Sequence, residues 1–337
     1  MIQSLLFLLG MQFVLFPDVE TDPSPYPGDS VDDAVVWYDA EAPEQSLIIA
    51  TLKASNQRPV LPTGILTYDL QGNQKQVLMG GTPNNIDLRP GFPFEEERAP
   101  LIVASHWYSG KVGLYQMGAD RMLRQLNLFE SGVEKLRGIC MGKLKDKFYY
   151  FAVGSTGTIE RYRIASVNQV VLEDRWQLES EAEGCVVDEP GNRVYIAEEN
   201  TGIWYIPLSS TPKIKSEPEL LDKVSFFRPL ARGIEGLAIL EDTGKRYLVA
   251  SVQEKSRFAI YDLATDQYIA TFRINAGNEI DGVSKTDGVE IFNKPLGPQF
   301  PQGVMVVHDD NNEPKLNQNF KYVSLEALRN MLKEAPQ

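Results

Sequence analysis

The chain has 337 residues, 43% of them hydrophobic and 10% aromatic, so it carries the apolar material for a sizeable core and is not of disordered composition. Its formal net charge of -13 argues against nucleic acid or a membrane surface as the main partner, because phosphate-rich surfaces need a basic face. The same charge suits cation binding or a solvated acidic surface.

The chain opens on its one long apolar stretch, MIQSLLFLLGMQFVLF, which Asp18 ends before a bilayer could be spanned. Residues 1–17 contain no Lys or Arg and no small-residue cleavage site. Two readings of this segment stay open: a truncated export signal, or a strand over Gln12 to Phe16 that closes the fold. Residues 18–337 then read as one domain of short strands. LIIAT from Leu47, GILTYDL (64–70), PLIVAS (100–105), KVGLYQM (111–117), KFYYFAVG (147–154), VYIAEE (194–199), GIWYIP (202–207), YLVASVQ (247–253), RFAIYDL (257–263) and QGVMVVHD (302–309) are rich in β-branched and aromatic residues. Gly, Asn, Asp and Pro separate them. Only the tail 324–335 has helical spacing, opening on Ser324 and Glu326.

A repeat emerges when polar residues that precede apolar strands are aligned. Asp33, Ile86, Arg137, Glu183, Glu235 and Asp287 recur at steps of 46 to 53 residues, a spacing suited to propeller blades. Six units with room for four strands each predict an all-β, six-bladed β-propeller. A β-sandwich is the competing architecture, although it needs no such repeat. Cys140 and Cys185 fall in apolar runs and read as buried free thiols rather than a bridge. His106 and His308 are too few for a histidine-based metal centre.

In a propeller the first strand of each blade lines the axial channel, so equivalent residues converge. Asp33, Asp87, Glu183, Glu235 and Asp287, with Arg137, are therefore expected at one mouth. Packed carboxylates repel one another unless a cation neutralises them. Calcium, which takes six to eight oxygens in flexible geometry, is the natural occupant. The alternative is that these acids sit in separate surface turns. Glu198–Glu199, closing the strand VYIA, strengthens the cation reading.

The segments DSVDDAVVW, NNIDLR, EGCVVDE, VYIAEENTGIW, IEGLAI, DGVSKTDGVEI and NQNFKYV, in this order from about Glu20 to Tyr322, resemble the landmarks of the calcium-dependent β-propeller phytases. The resemblance implies a six-bladed propeller that hydrolyses phytate or a related phosphate ester by metal-assisted attack of water, with several calcium ions and no covalent nucleophile. It implies Glu183, Glu199, Glu235 and Asp281 as catalytic calcium ligands, with Asp287 continuing the cluster. Asp32 and Asp33 would hold a fold-locking calcium. Lys53 matches a phosphate-contacting lysine, and Gln253 a polar residue lining the site.

The chain also departs from the family pattern. Trp107 stands at a phosphate-binding arginine position, Arg137 at a tyrosine, Gly233 at an aspartate and Lys285 at an acid. VGSTGT (153–158) lacks a lysine, and the segment 54–64 is longer than the corresponding turn. Losing an arginine removes bidentate, charge-assisted bonds to phosphate; Arg137, as a substrate-binding residue, would return a positive charge to the same mouth, with Lys285 or Lys255 adding another. The leading expectation is a monomeric, secreted or periplasmic phosphomonoesterase acting on a phosphorylated small molecule. A non-catalytic, calcium-stabilised binding propeller is the first alternative, and a lactonase-like propeller enzyme is the weaker one.

Overall fold

Strand-forming runs punctuated by turn residues build six antiparallel sheets in the computed structural model, which describes residues 12–53, 62–95, 97–208, 216–225 and 229–335. From the axis outward, blade 1 comprises Val31–Trp37, Leu47–Leu52, Gly64–Tyr68 and Gln74–Met79. Blade 2 comprises Pro83–Pro93, Arg98–His106, Lys111–Met117 and Leu123–Glu130, and blade 3 Leu136–Leu144, Lys147–Gly154, Thr158–Ser166 and Gln169–Gln177. Blade 4 comprises Ala182–Asp188, Arg193–Glu198, Gly202–Pro207 and Glu219–Lys223, and blade 5 Ile234–Asp242, Lys245–Val252, Arg257–Asp262 and Gln267–Ile274. Blade 6 takes Val289–Phe292, Val304–Asp309 and Asn319–Ser324 from the end of the chain and Val19–Glu20 from its start. The six first strands contact one another in cyclic order around the axis. The fold is the expected six-bladed β-propeller.

The core lies between blades. Among the described residues, apolar side chains form six clusters, one at each blade–blade interface. The strand FYYFAV shows why these strands read as unbroken apolar runs. Phe148, Tyr150 and Ala152 pack toward blade 2, while Tyr149, Phe151 and Val153 pack toward blade 4. Both faces of the strand are buried, so the period of two disappears from its hydropathy. Each large buried side chain contributes roughly 1.5–3 kcal/mol of transfer free energy.

The repeated acid–glycine pair has a steric cause at the axis. A Cβ on Gly184 would lie 2.0 Å from the Glu235 carbonyl oxygen, and one on Gly236 would lie 2.5 Å from that of Asp287. Neighbouring inner strands approach so closely here that only glycine fits. Gly184→Ala is expected to cost roughly 1–3 kcal/mol by overpacking. Thermal unfolding checks this; a melting temperature within a degree of the unsubstituted protein would overturn it.

Two expectations are corrected. Cys140 and Cys185 form a disulfide, with Cα atoms 5.7 Å apart, joining the inner strands of blades 3 and 4. Their apolar flanks concealed that the repeat places them side by side on adjacent strands, within bridging reach. Gln12–Leu15 is a strand, but it does not close the ring. It runs parallel to Gln267–Ile274 as a fifth, outermost strand of blade 5. Closure falls instead to Val19–Glu20, which pairs antiparallel with Lys321 and Tyr322. The rest of the apolar start, residues 1–11, and residues 54–61 of the long segment lie outside the described residues.

The tail helix, Leu325–Glu334, forms as expected, with the Ser324 hydroxyl accepting from the Glu326 amide. Its Leu325, Leu328, Met331 and Leu332 pack into the cluster between blades 5 and 6. Among the described residues, no helix is long and apolar enough to cross a membrane.

Candidate functional site

Five inner strands begin with a bulge in their pairing to the second strand. The irregularities fall between Val31 and Ala34, Pro83 and Ile86, Leu136 and Gly138, Ala182 and Cys185, and Ile234 and Leu237. Bulges re-aim side chains at barrel and sheet rims. The residue after each first partner is Asp32, Asn84, Arg137, Glu183 or Glu235, and Asp287 precedes the inner strand of blade 6. This sets the true register of the repeat.

The register residues expected from the sequence in blades 1 and 2, Asp33 and Ile86, lie one and two positions further along. A slip of this kind sends a side chain to the wrong place. Asp33 and Asp87 therefore do not join the mouth but line a second cavity of about 460 Å³ deeper along the inner strands. Asp33 accepts from the amides of Ala34 at 2.9 Å and Ile86 at 3.1 Å. Asp87 accepts from the Met141 amide at 2.6 Å and pairs with Arg89 at 2.9 Å. Asp32 and Asp33 thus face different cavities.

The mouth cavity has a volume of about 390 Å³ and is walled by eight carboxylates against three cations, Lys53, Arg137 and Lys285. At its centre Glu183, Glu199 and Glu235 each bring a carboxylate oxygen within 4.8 Å of the others. Burial, together with Asp32, pushes the Glu183 pKa well above the ordinary carboxylate value. Burial and the neighbouring Glu183 and Glu199 do the same to Glu235. Burial and Glu181 raise Glu199 to about 7. Asp32 is raised to about 6 by burial, against the pull of Lys53. These are acids crowded beyond what the protein's own cations offset.

Lys53 is buried and held by Asp32, by Asp29 at 3.0 Å and by Asp287 at 3.8 Å. Burial would lower its pKa, but Asp32, Asp287 and Asp29 outweigh that and hold it charged. The Gln253 amide donates to the Asp287 carboxylate. Arg137 lies with its guanidinium 5.4 Å from the Trp107 ring centroid. Burial opposes its charge, and Glu183, Asp32, Glu181 and Glu199 more than offset this.

Asp281 stands apart from the three glutamates. Its carboxylate lies 2.6 Å from the buried ammonium of Lys321 and accepts from the Glu313 amide at 2.8 Å. Glu198 is also turned away, bonding Ser180 at 2.7 Å and the Trp204 indole at 2.8 Å. Of the acidic pair, only Glu199 lines the cavity. Both histidines are buried and structural: His106 bonds Tyr115 at 2.7 Å, and His308 accepts from the Asp287 amide at 3.2 Å. Gly233 adopts φ +72°, a conformation that an aspartate would resist.

Sequence reasoning missed Asn84. It is fully buried and donates to Glu183 at 2.6 Å and to Asp32 at 3.1 Å. The correct register would have marked it, because it is blade 2's equivalent of Glu183. Glu181, Asp29, Asp310 and Gln318 also line the mouth and lie outside the repeat, although Asp29 and Gln318 fall within segments that carry the family resemblance.

The donor set fits a hard divalent cation. The cavity wall offers carboxylate and amide oxygens, without sulfur or imidazole. Asn84 adds a buried side-chain oxygen that no protein donor satisfies.

The family model described as Phytase matches residues 10–337. A 3-phytase of Bacillus subtilis (strain 168) is 32% identical over 342 residues, covering 96% of this chain and 87% of the relative. A protein from Lactobacillus plantarum with a solved structure superposes with a TM-score of 0.54 at 12% identity, over 88% of this chain and 81% of that one. The last likeness concerns the fold alone.

Proposed function

Because the chain belongs to the phytase family, we propose that it is a calcium-dependent phosphomonoesterase acting on phytate or a related phosphate ester. The observation that supports this most is the trio Glu183, Glu199 and Glu235, converging in an open cavity beside Lys53 and Arg137. The three glutamates would hold calcium, with Asp32 and Asp287 beside them. Calcium bound there would offset charge on the phosphate oxygens and favour in-line attack by water. Lys53 and Arg137 supply the donors that orient the phosphate. Asn84 fixes the Glu183 carboxylate, and Gln253 fixes that of Asp287. Asp281, paired with Lys321 and outside the mouth cavity, is left out of this assignment, and Asp33 is left to the deeper cavity. The Cys140–Cys185 bridge supports export to an oxidising compartment.

The test is release of inorganic phosphate from phytate and from an aryl phosphate, with calcium and with excess chelator. Release that depends on calcium is expected; release persisting in chelator would overturn the reading. One observation favours a non-catalytic calcium-stabilised module instead: Lys53 is already engaged by three carboxylates. That reading expects calcium to raise the melting temperature without turnover of any ester.

A further inference from the structure

Beside the acidic mouth lies another cavity, of about 470 Å³, lined by Trp107, Tyr108, Lys135, Arg137, Ser155 and Glu181. Arg137 and Glu181 belong to both cavities, so the two share a wall. The volume is in the range of small-ligand sites. Resting on the phosphatase reading above, we propose that this cavity is a stacking subsite for a flat aromatic leaving group, making aryl phosphomonoesters the favoured substrate class.

The aromatic corner carries the argument. Trp107 and Tyr108 sit at the turn between the second and third strands of blade 2, with ring centroids 4.4 Å apart and planes inclined by 52°. Arg137 occupies the neighbourhood of the Trp107 ring, whereas Tyr108 is 65% exposed. An exposed ring at a cavity edge offers a π face to a ligand.

The turn is also held rigid. The Trp107 amide donates to the Thr82 carbonyl at 3.2 Å, and the Tyr108 amide to the Thr82 hydroxyl at 3.3 Å. Thr82 donates in turn to the ring of buried His106 at 3.1 Å. A turn backbone held before binding leaves only the side-chain rotamers to be ordered when a ring docks.

Arg137, on the shared wall, lines both cavities, and Lys135 adds a second cation to the aromatic one. A puckered polyol with a phosphate on every carbon has no flat face to present. A phosphate joined to an aromatic ring puts its anion in the acidic, cation-binding mouth and its ring against Tyr108.

The experiment compares Tyr108→Ala with the unsubstituted protein on 4-nitrophenyl phosphate and glycerol 2-phosphate, with calcium present. Using the ratio between proteins cancels the intrinsic reactivity of the aryl ester. The variant should lose about 5- to 10-fold in kcat/KM on the aryl ester, as aromatic contacts of this kind predict, and keep its value on glycerol 2-phosphate. Equal loss on both, or loss on neither, overturns the subsite. Calorimetric binding of phenylphosphonate against methylphosphonate, neither of which is a phosphate ester, separates this inference from the reading beneath it. Tighter binding of the phenyl compound, abolished by Tyr108→Ala, upholds the subsite even if no ester is turned over. Turnover without a phenyl preference upholds the phosphatase and removes the subsite.

Discussion

Glu183→Ala is expected to lower calcium-dependent phosphate release by at least about 100-fold, since loss of even an outer-shell partner of a metal site costs 10- to 100-fold. Glu183 is the residue on which the mouth converges. It shares the three-carboxylate cluster, accepts from Asn84 at 2.6 Å and, through its charge, raises the pKa of Glu235. The neutral variant relieves repulsion among the remaining acids, so the folded state should survive and melt no lower in chelator. Calcium titration followed by phosphate release checks both parts. A variant retaining activity within about threefold would move the catalytic centre elsewhere; an inactive variant that melts much lower would make Glu183 structural.

Reduction of the Cys140–Cys185 bridge is expected to remove about 4 kcal/mol of stability, given a sequence separation of 45 residues and the loop-closure entropy of the unfolded chain. For a domain of this size that is a fall on the order of 5–10 °C in melting temperature. The same loss should appear in the Cys140→Ser, Cys185→Ser double variant without reductant. The bridge also ties the inner strand that carries Arg137 to the one that carries Glu183. Phosphate release should therefore become more temperature-sensitive before the protein unfolds. Unchanged melting after two thiols have been titrated would show that the blade interface alone holds these strands.

The blade repeat was readable because each inner strand begins with a polar residue and a close approach, and both leave marks in composition. Glu183-Gly184 and Glu235-Gly236 are chemistry and sterics written side by side. What failed was phase. In blades 1 and 2 the glycine gives way to Asp33 and Asn85, so nothing in the residue types fixed the register, and Asp33 and Asp87 were drawn in while Asn84 was passed over. Pairing across blades was invisible for the same reason: Cys140 and Cys185 meet only when the repeat is wound into a ring. The position of Asp281 depended on Lys321, which comes 40 residues later in the chain. The carboxylate trio Glu183, Glu199 and Glu235, by contrast, was named from the sequence and is brought together in space.

The ring closure on blade 6 also orders events during synthesis. Val19 and Glu20 find their partners only at Tyr322 and Lys321, and Thr21 and Ser24 likewise wait for Phe320 and Gln318. Blades 2 to 4 pair only between chain neighbours and can fold as they emerge from the ribosome. The first residues of the ring must stay unpaired until almost the whole chain exists. A chain synthesised only as far as residue 318 therefore carries an open ring with an exposed edge, and emergence of Asn319–Ser324 is what latches it.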